Sequence, residues 1–306
     1  MGVDDQELRI ESPDLRAGYV AVFGRPNVGK STLVNALIGS KVSIVSEQPQ
    51  TTRDRVLCIY DDDDVQIVFL DTPGMHRPRD KMNDYMVHQA RRCLQDADLS
   101  LMMVEAQDAF GPGDRYLASW LKESKAPAIL IINKIDLVSP SQLRSLESNL
   151  PEMDFWLERH YISALNESGV SDLLCALKQR LPLGVRFFPE GLLTDRSERY
   201  LVGELVRESI FRLTREEVPH SSAVVVDEFK EREDAKSFIS ATVYVETESQ
   251  KGIIVGKEGQ MIKRIGSTAR QEMERLIGRG VYLDLRVKVR KKWRKNPKDL
   301  REFGYQ

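Results

Sequence analysis

Residues 24–31 read GRPNVGKS, a Gly-x-x-x-x-Gly-Lys-Ser pattern. In such a phosphate-binding loop the glycines let the backbone curl until its N–H groups point inward at an anion. Lys30 reaches the β- and γ-phosphates and the Ser31 hydroxyl ligates Mg²⁺. The flanks fit this reading. Tyr19 to Phe23 is a short apolar run, as a buried strand should be, and Leu33, Val34, Leu37 and Ile38 follow at helical spacing. The helix would start at the phosphates, with the positive end of its dipole facing them. The expected nucleotide-binding residues of the loop are Gly24, Arg25, Pro26, Asn27, Val28, Gly29, Lys30, Ser31 and Thr32.

Outward from that loop, the chain has room for two domains in its 306 residues. It is 41% hydrophobic and 30% charged, a globular composition. The net charge of −2 hides an asymmetry. Residues 251–306 carry 16 Lys and Arg against 6 Asp and Glu, a net of +10, which leaves −12 for the rest. A tail so basic implies an anionic partner. Cys58, Cys93 and Cys175 lack metal-ligand spacing and read as free thiols. No apolar run approaches a membrane span, and the polar, acidic start does not resemble a signal peptide. Residues 1–17 read as a flexible extension.

Downstream of the first helix a polar stretch ends QPQTTRDRV at Val56. It reads as a loop that could present a threonine hydroxyl to Mg²⁺. Two strands, Arg55 to Tyr60 and Val65 to Leu70, flank Asp61-Asp62-Asp63-Asp64. That run lacks the alternation and glycine of a Ca²⁺ loop, so a hairpin turn is expected. Asp71-Thr72-Pro73-Gly74 follows at the end of a buried strand. Asp71 can hold Mg²⁺ through water, and the Gly74 N–H can meet a γ-phosphate. Strands and helices then alternate: helix Lys81 to Ala97, strand Leu99 to Val104, helix Gly113 to Glu123, strand Ala128 to Ile132. The last strand runs into Asn133-Lys134-Ile135-Asp136. A buried carboxylate at Asp136 accepts from both N1–H and N2–H₂ of guanine and would be left unpaired against adenine, which makes the discrimination large. Asn133 would brace the neighbouring loops and Lys134 cover the base. After strand Phe155 to Tyr161, Ser163, Ala164 and Leu165 complete the base pocket, with the Ala164 N–H directed at the guanine carbonyl. Helix Val170 to Leu181 closes the domain. The alternation implies an α/β doubly wound sheet over residues 18–182, with its ligand beyond the carboxyl ends of the strands.

Pro182, Gly184, Pro189 and Gly191 mark residues 183–196 as an interdomain connection. In 197–306, helix Ser197 to Thr214 is expected to turn Leu201, Leu205, Ile210 and Leu213 inward. Val224 to Val226, Phe238 to Val245 and Val281 to Val289 read as strands. Gly256-Lys257-Glu258-Gly259 lies between two helical stretches. A Gly-x-x-Gly loop lets a nucleic-acid backbone approach closely, and the apolar residues beside it form a groove for about four nucleotides. With IIVG before it, MIKRIG after it and the basic tail, the segment reads as an RNA-binding KH module. The element order resembles the type II, bacterial KH variant, an α+β fold. Expected RNA contacts are Ile253, Ile254, Gly256, Lys257, Gly259, Lys263, Arg264, Arg290, Lys291 and Lys292. Val255, Met261, Ile262 and Ile265 are expected in the groove with the first two, and Trp293 beside it. Glu258 is unhelpful to phosphate at its position.

GRPNVGKS, QTTRD, DTPG, NKID and ISA, in this order, resemble the five nucleotide-contacting segments of translation-factor-related GTPases. TTRDR is similar to the bacterial ribosome-assembly group. Met75 stands where signalling GTPases carry a glutamine that orients the attacking water. The resembled group shares that departure, and in it the loop asparagine, here Asn27, is associated with K⁺. A GTPase domain fused to a KH module resembles the Era GTPase family over residues 18–306. The resemblance implies GTP hydrolysis with Mg²⁺ held by Ser31, Thr52 and Asp71, and catalytic parts for Lys30, Asn27, Thr52 and Gly74. It also implies binding of the 16S rRNA 3′ end, action in 16S rRNA processing and 30S subunit biogenesis, and a monomer in the cytoplasm with peripheral contact at the inner membrane. Two alternatives are a nucleotide-sensing RNA-binding switch with negligible turnover, which Met75 favours, and a tRNA-modification GTPase, which would lack the KH loop.

Overall fold

The computed structural model describes residues 15–46, 48, 51–74, 81–124, 127–151, 154–231 and 236–305. They form two compact units. The first comprises residues up to Ser43, Arg55–His76 and Gln89–Asp195. Its chain runs β1 (Arg16–Gly24), α1 (Lys30–Ile38), β2 (Val56–Asp61), β3 (Val65–Asp71), α2 (Lys81–Asp96), β4 (Leu99–Glu105), α3 (Pro112–Ser124), β5 (Ala128–Asn133), α4 (Pro140–Asn149), β6 (Trp156–Tyr161) and α5 (Val170–Arg180). The six strands are ordered β2-β3-β1-β4-β5-β6. All neighbours are parallel except the β2–β3 hairpin. Every residue of β3 and β5 is buried, as a parallel sheet covered on both faces requires. The strand order reverses at β1, so the loop after β1 opens at the switch point where doubly wound sheets bind their ligands.

The Asp61–Asp64 run is the expected turn. Asp62 Oδ1 accepts from the N–H groups of Asp64 and Val65 at 3.0 and 2.9 Å, an Asx-type closure. β1 begins earlier than the sequence reading placed it. Leu15 and Ala17 are buried and Arg16 pairs with Val65 in β3, so these residues belong to the sheet. Helix α4 was not anticipated; its apolar face is thin, with Leu143 and Leu146 only half-buried and no residue of the helix fully buried. Its signal is a capping box: Ser139 Oγ accepts from Gln142 N, Gln142 Oε1 accepts from Ser139 N, and Pro140 opens the helix. Residues 183–194, read as a connection, run along the first unit. Leu193 O accepts from Ile59 N at 2.9 Å, and Gln66 Oε1 accepts from Phe187 N and Phe188 N.

The second unit comprises Ile44–Asp54, Arg77–His88 and Arg196–Gln306. It contains α6 (Glu198–Leu213), α7 (Glu217–His220), β7 (Ala223–Lys230), β8 (Ser237–Val245), α8 (Glu248–Val255), α9 (Gln260–Ile277), β9 (Val281–Val289) and α10 (Pro297–Glu302). β8 is central, antiparallel to β7 and parallel to β9. Val202, Val206 and Ile210 of α6 and Ile265, Ala269 and Met273 of α9 share a core with Ile239, Ala241 and Val243 of β8. Leu205, Ile210 and the partly buried Leu213 pack into this core as expected, whereas Leu201 is only partly buried. Helix α6 is also covered on a second side. Val45 and Gln48 lie there, with Val45 N donating to Glu208 Oε1 and Gln48 Nε2 to the carbonyls of Phe211 and Thr214. The first half of α2 counts with this unit too, through Met82 and Met86.

Candidate active site and nucleic-acid interface

Strand β1 ends at Gly24 and α1 starts at Lys30, so the five residues between must reverse direction tightly. Asn27 and Gly29 do this with left-handed backbone, φ 63° and 100°. At Gly29 a Cβ would sit 2.3 Å from the Asn133 side-chain nitrogen, so only glycine fits. Gly74 packs against the same loop, where a Cβ would lie 2.7 Å from Pro26 Cα.

Lys30 is buried, and its ammonium donates to the carbonyls of Gly24 and Arg25 at 3.2 and 2.9 Å. Burial pushes its pKa down to about 8, with Asp71 opposing the shift. Ser31 Oγ donates to Asp71 Oδ2 at 2.8 Å, which joins two of the three expected Mg²⁺ ligands across 40 residues of chain. Thr72 is buried, its hydroxyl donating to Val22 O at 2.7 Å. Asn133 braces as anticipated. Its Nδ2 donates to Val28 O at 2.7 Å and its Oδ1 accepts from Ala164 N at 2.9 Å. Ser163 is buried beside it and Leu165 is exposed. Lys134 takes left-handed backbone and pairs with Glu105, a partner that no sequence pattern announced. Asp136, expected to be buried, stands exposed in a short 3-10 turn.

Thr52 is buried with the second unit. The anchor of its segment is the next residue, Arg53. Its guanidinium donates to the carbonyls of Ser222, His220 and Pro219 at 2.6, 2.9 and 3.1 Å and to the Tyr305 hydroxyl at 3.2 Å. Desolvation lowers the Arg53 pKa, and nearby Arg207 adds to the effect. Met75 lies outside the described residues, as do residues 1–14 of the expected extension and Gln50 of the QTTRD segment.

In the second unit the Gly-x-x-Gly turn joins α8 to α9. Gly256 takes φ 71° and ψ 174°, and a Cβ there would lie 2.7 Å from Met261 Cβ and 2.9 Å from Met261 N. Gly259 is also left-handed, at φ 75°, but has only Ile262 at 3.9 Å. A side chain at Gly256 would therefore disturb the start of α9, whereas one at Gly259 would alter mainly the loop surface. Beside the turn, a groove of about 410 Å³ runs between α9 and β9, lined by Ile262, Lys263, Gly266, Ser267, Arg270, Leu283 and Leu285.

Three expectations, Ile254, Ile265 and Trp293, are corrected here. Ile254 and Ile265 are fully buried in the core, because α8 and α9 each turn an apolar side to the sheet; neither can touch a base. Arg290 is exposed and also pairs with Asp299 and Glu302, with a 2.9 Å bond from Nε to Asp299, which fastens α10. Trp293 is fully buried, its Nε1 donating to Ser221 O at 2.8 Å, so it offers no ring to RNA. Ile253 is 47% exposed, and Lys257, Lys263, Arg264, Lys291 and Lys292 are exposed as expected.

With this geometry in view, comparison with known proteins gives consistent matches. The protein-family profile described as a 50S ribosome-binding GTPase matches residues 19–134, and that of a KH domain matches residues 217–294. The GTPase Era of Carboxydothermus hydrogenoformans is 47% identical over 291 residues, covering 95% of this chain and 98% of its own. That of Thermotoga maritima is 47% identical over 294 residues, covering 95% and 97%. A crystal structure of an Aquifex aeolicus Era variant bound to GDP and AlF₄⁻ superposes with a TM-score of 0.92 at 41% identity, over 95% of this chain and 99% of the other. Era in complex with MgGDPNP and nucleotides 1506–1542 of 16S ribosomal RNA superposes at 0.90, with the same identity and coverage.

Proposed function

The chain belongs to the Era family of GTPases, and from that premise we propose that it binds and hydrolyses GTP with its first unit and binds the 3′-end region of 16S rRNA with its second, in 16S rRNA processing and 30S subunit biogenesis. The observation that carries the GTPase reading is the Asn133 amide. It ties the phosphate loop, through Val28 O, to the base-recognition turn, through Ala164 N, so three nucleotide-contacting segments form one rigid seat.

Ser31 and Asp71 present a hydroxyl and a carboxylate, hard oxygen donors suited to Mg²⁺. Mg²⁺ is commonly held by one or two protein side chains together with substrate phosphates. Bound there, Mg²⁺ supplies neutralisation of the phosphate oxygens. Thr52 would add a second hydroxyl in the nucleotide-bound state. Lys30, held by the Gly24 and Arg25 carbonyls, offers its ammonium to the β- and γ-phosphates, and the Gly74 N–H meets the γ-phosphate. Asp136 accepts from the guanine edge, while Ala164 N–H donates to its carbonyl. A cation at Asn27, K⁺ by family resemblance, would provide charge that the Met75 side chain cannot supply, and the Met75 thioether neither orients nor deprotonates water. Cytoplasmic residence, peripheral contact with the inner membrane and a monomeric state are parts of the same proposal. Among the described residues no helix is long and apolar enough to cross a membrane.

The test is single-turnover hydrolysis of GTP and ATP with Mg²⁺, in K⁺ or Na⁺. Wild type is expected to turn over GTP faster in K⁺ and to ignore ATP, and Asn27→Ala is expected to lose the K⁺ stimulation. A wild-type rate indifferent to the monovalent cation would remove Asn27 from this role, and equal use of ATP would remove Asp136 from its own.

For the second unit, RNA binding should separate into two parts. Exposed Lys291 and Lys292 supply phosphate attraction, so Lys291→Ala/Lys292→Ala is expected to weaken binding of all single strands alike and to reduce the salt slope by up to about two, near one per phosphate contact. Gly259→Asp places a carboxylate where the RNA backbone must approach and is expected to abolish binding of a 16S 3′-end oligonucleotide. Salt titrations with that oligonucleotide and a scrambled one check both. Undiminished binding by Gly259→Asp would disprove the KH assignment of the loop.

A further inference from the structure

Arg25 sits inside the phosphate loop, yet its side chain turns away from the loop's concave side. Its Nε donates to Asp114 Oδ1 at 2.9 Å, one terminal nitrogen to Asp108 Oδ2 at 2.9 Å, and the other to Asp108 O at 2.7 Å. Asp114 has a fully buried carboxylate whose second oxygen accepts from Gly111 N at 3.2 Å. The Arg25 stem lies so close to the start of α3 that a Cβ on Gly113 would be 2.9 Å from Arg25 Cδ. The guanidinium thus uses its fork to fasten the loop to the turn after β4, at a fixed distance and angle. Arg25 also contributes the carbonyl that accepts from Lys30 at 2.9 Å, and the neighbouring Gly24 carbonyl is the second acceptor. One residue is therefore bound at its side chain to a rigid turn and at its backbone to the phosphate-binding lysine.

We propose that Arg25, Asp108 and Asp114 are positioning residues for hydrolysis: their clasp fixes the loop carbonyls that set where Lys30 presents its ammonium to the transferred phosphoryl group. The inference rests on the reading of this loop as a GTP site. Charge developing on the phosphoryl oxygens rewards an ammonium already in place, so loosening the clasp affects the chemical step more than ground-state binding. Burial of Asp114 keeps the clasp from exchanging with water, and Asp108, whose side chain is 69% exposed, is the half that can be removed with little risk to the fold.

The experiment compares wild type, Arg25→Ala, Arg25→Lys, Asp108→Ala and the double variant Arg25→Ala/Asp108→Ala as full chains. Steady-state hydrolysis and thermal unfolding are measured on each. Arg25→Ala is expected to lower kcat about tenfold with KM changed less than about threefold. Asp108→Ala should lower kcat by a smaller factor and add little to the loss in the double variant, because both act through one contact. Arg25→Lys keeps the charge without the fork and should recover only part of the rate. Unchanged kcat in both single variants, or a loss carried wholly by KM, overturns the inference. A fall in kcat that follows a fall in melting temperature, with additive losses, assigns the clasp to stability alone and overturns it as well. Wild type that binds no GTP would instead defeat the reading of the loop, and the inference with it.

Discussion

Trp293→Ala is expected to destabilise the second unit by about 3–5 kcal/mol, the range for deleting a fully packed large aromatic. The indole is completely buried among Met82, Met86, Ala223 and Leu300. It stacks on Tyr305 with ring centres 6.0 Å apart and meets the Phe303 ring edge-on at 5.3 Å. Its N–H satisfies the Ser221 carbonyl, and the Arg53 guanidinium lies 5.7 Å from the ring centre. Alanine would leave a cavity, an unmet carbonyl and a buried cation without its ring. Urea unfolding followed by far-ultraviolet circular dichroism reads the loss. Trp293→Phe should retain most of the packing and lose the hydrogen bond, about 1 kcal/mol. If Trp293→Ala kept its unfolding midpoint and lost RNA affinity, the ring would have to be returned to an RNA-facing role.

Asp136→Asn is expected to weaken GTP binding by about 2–3 kcal/mol, roughly 30- to 150-fold, the scale of losing a charge-assisted pair of hydrogen bonds. The amide can still accept from one guanine nitrogen but sets a donor against the other. Exposure of Asp136 sharpens the expectation. With no buried contact to lose, the substitution should leave the unfolding midpoint unchanged, so the effect belongs to the ligand. Xanthosine triphosphate, which carries a carbonyl where guanine has its amino group, should regain affinity on the variant. Titration calorimetry with both nucleotides measures this, and equal GTP affinities for wild type and variant would end the assignment.

The sequence made the first unit nearly legible because its signals are local. Glycines fix the loop, apolar runs fix the strands, and four of the five nucleotide-contacting segments follow a strand end. The β2–β3 hairpin and the strand Val281–Val289 needed only short-range patterns. What escaped was set by distant partners. Arg25 finds Asp108 and Asp114 more than 80 residues away, and nothing in GRPNVGKS distinguishes a side chain that faces phosphate from one that faces α3. Trp293 illustrates the opposite error. A tryptophan within a run of lysines and arginines has the composition of a nucleic-acid contact, but packing with Tyr305 and Phe303 decides its place. Ile254 and Ile265 show the limit of periodicity, which marks a helix as two-sided without saying which side meets the sheet.

Arg53 has one more implication, for anyone cutting or grafting this chain. A fragment beginning at residue 197 looks, by linkage, like a complete C-terminal module. It would nevertheless arrive without Arg53, Met82 and Met86, which come from far upstream and fill the hollow around Trp293. The carbonyls of Ser222, His220 and Pro219 would lose their shared donor, and an aromatic floor would open to solvent. A transplant that moves the module between homologues must therefore carry matching residues at positions 53, 82 and 86, since the boundary of heredity along the chain and the boundary of packing are different lines.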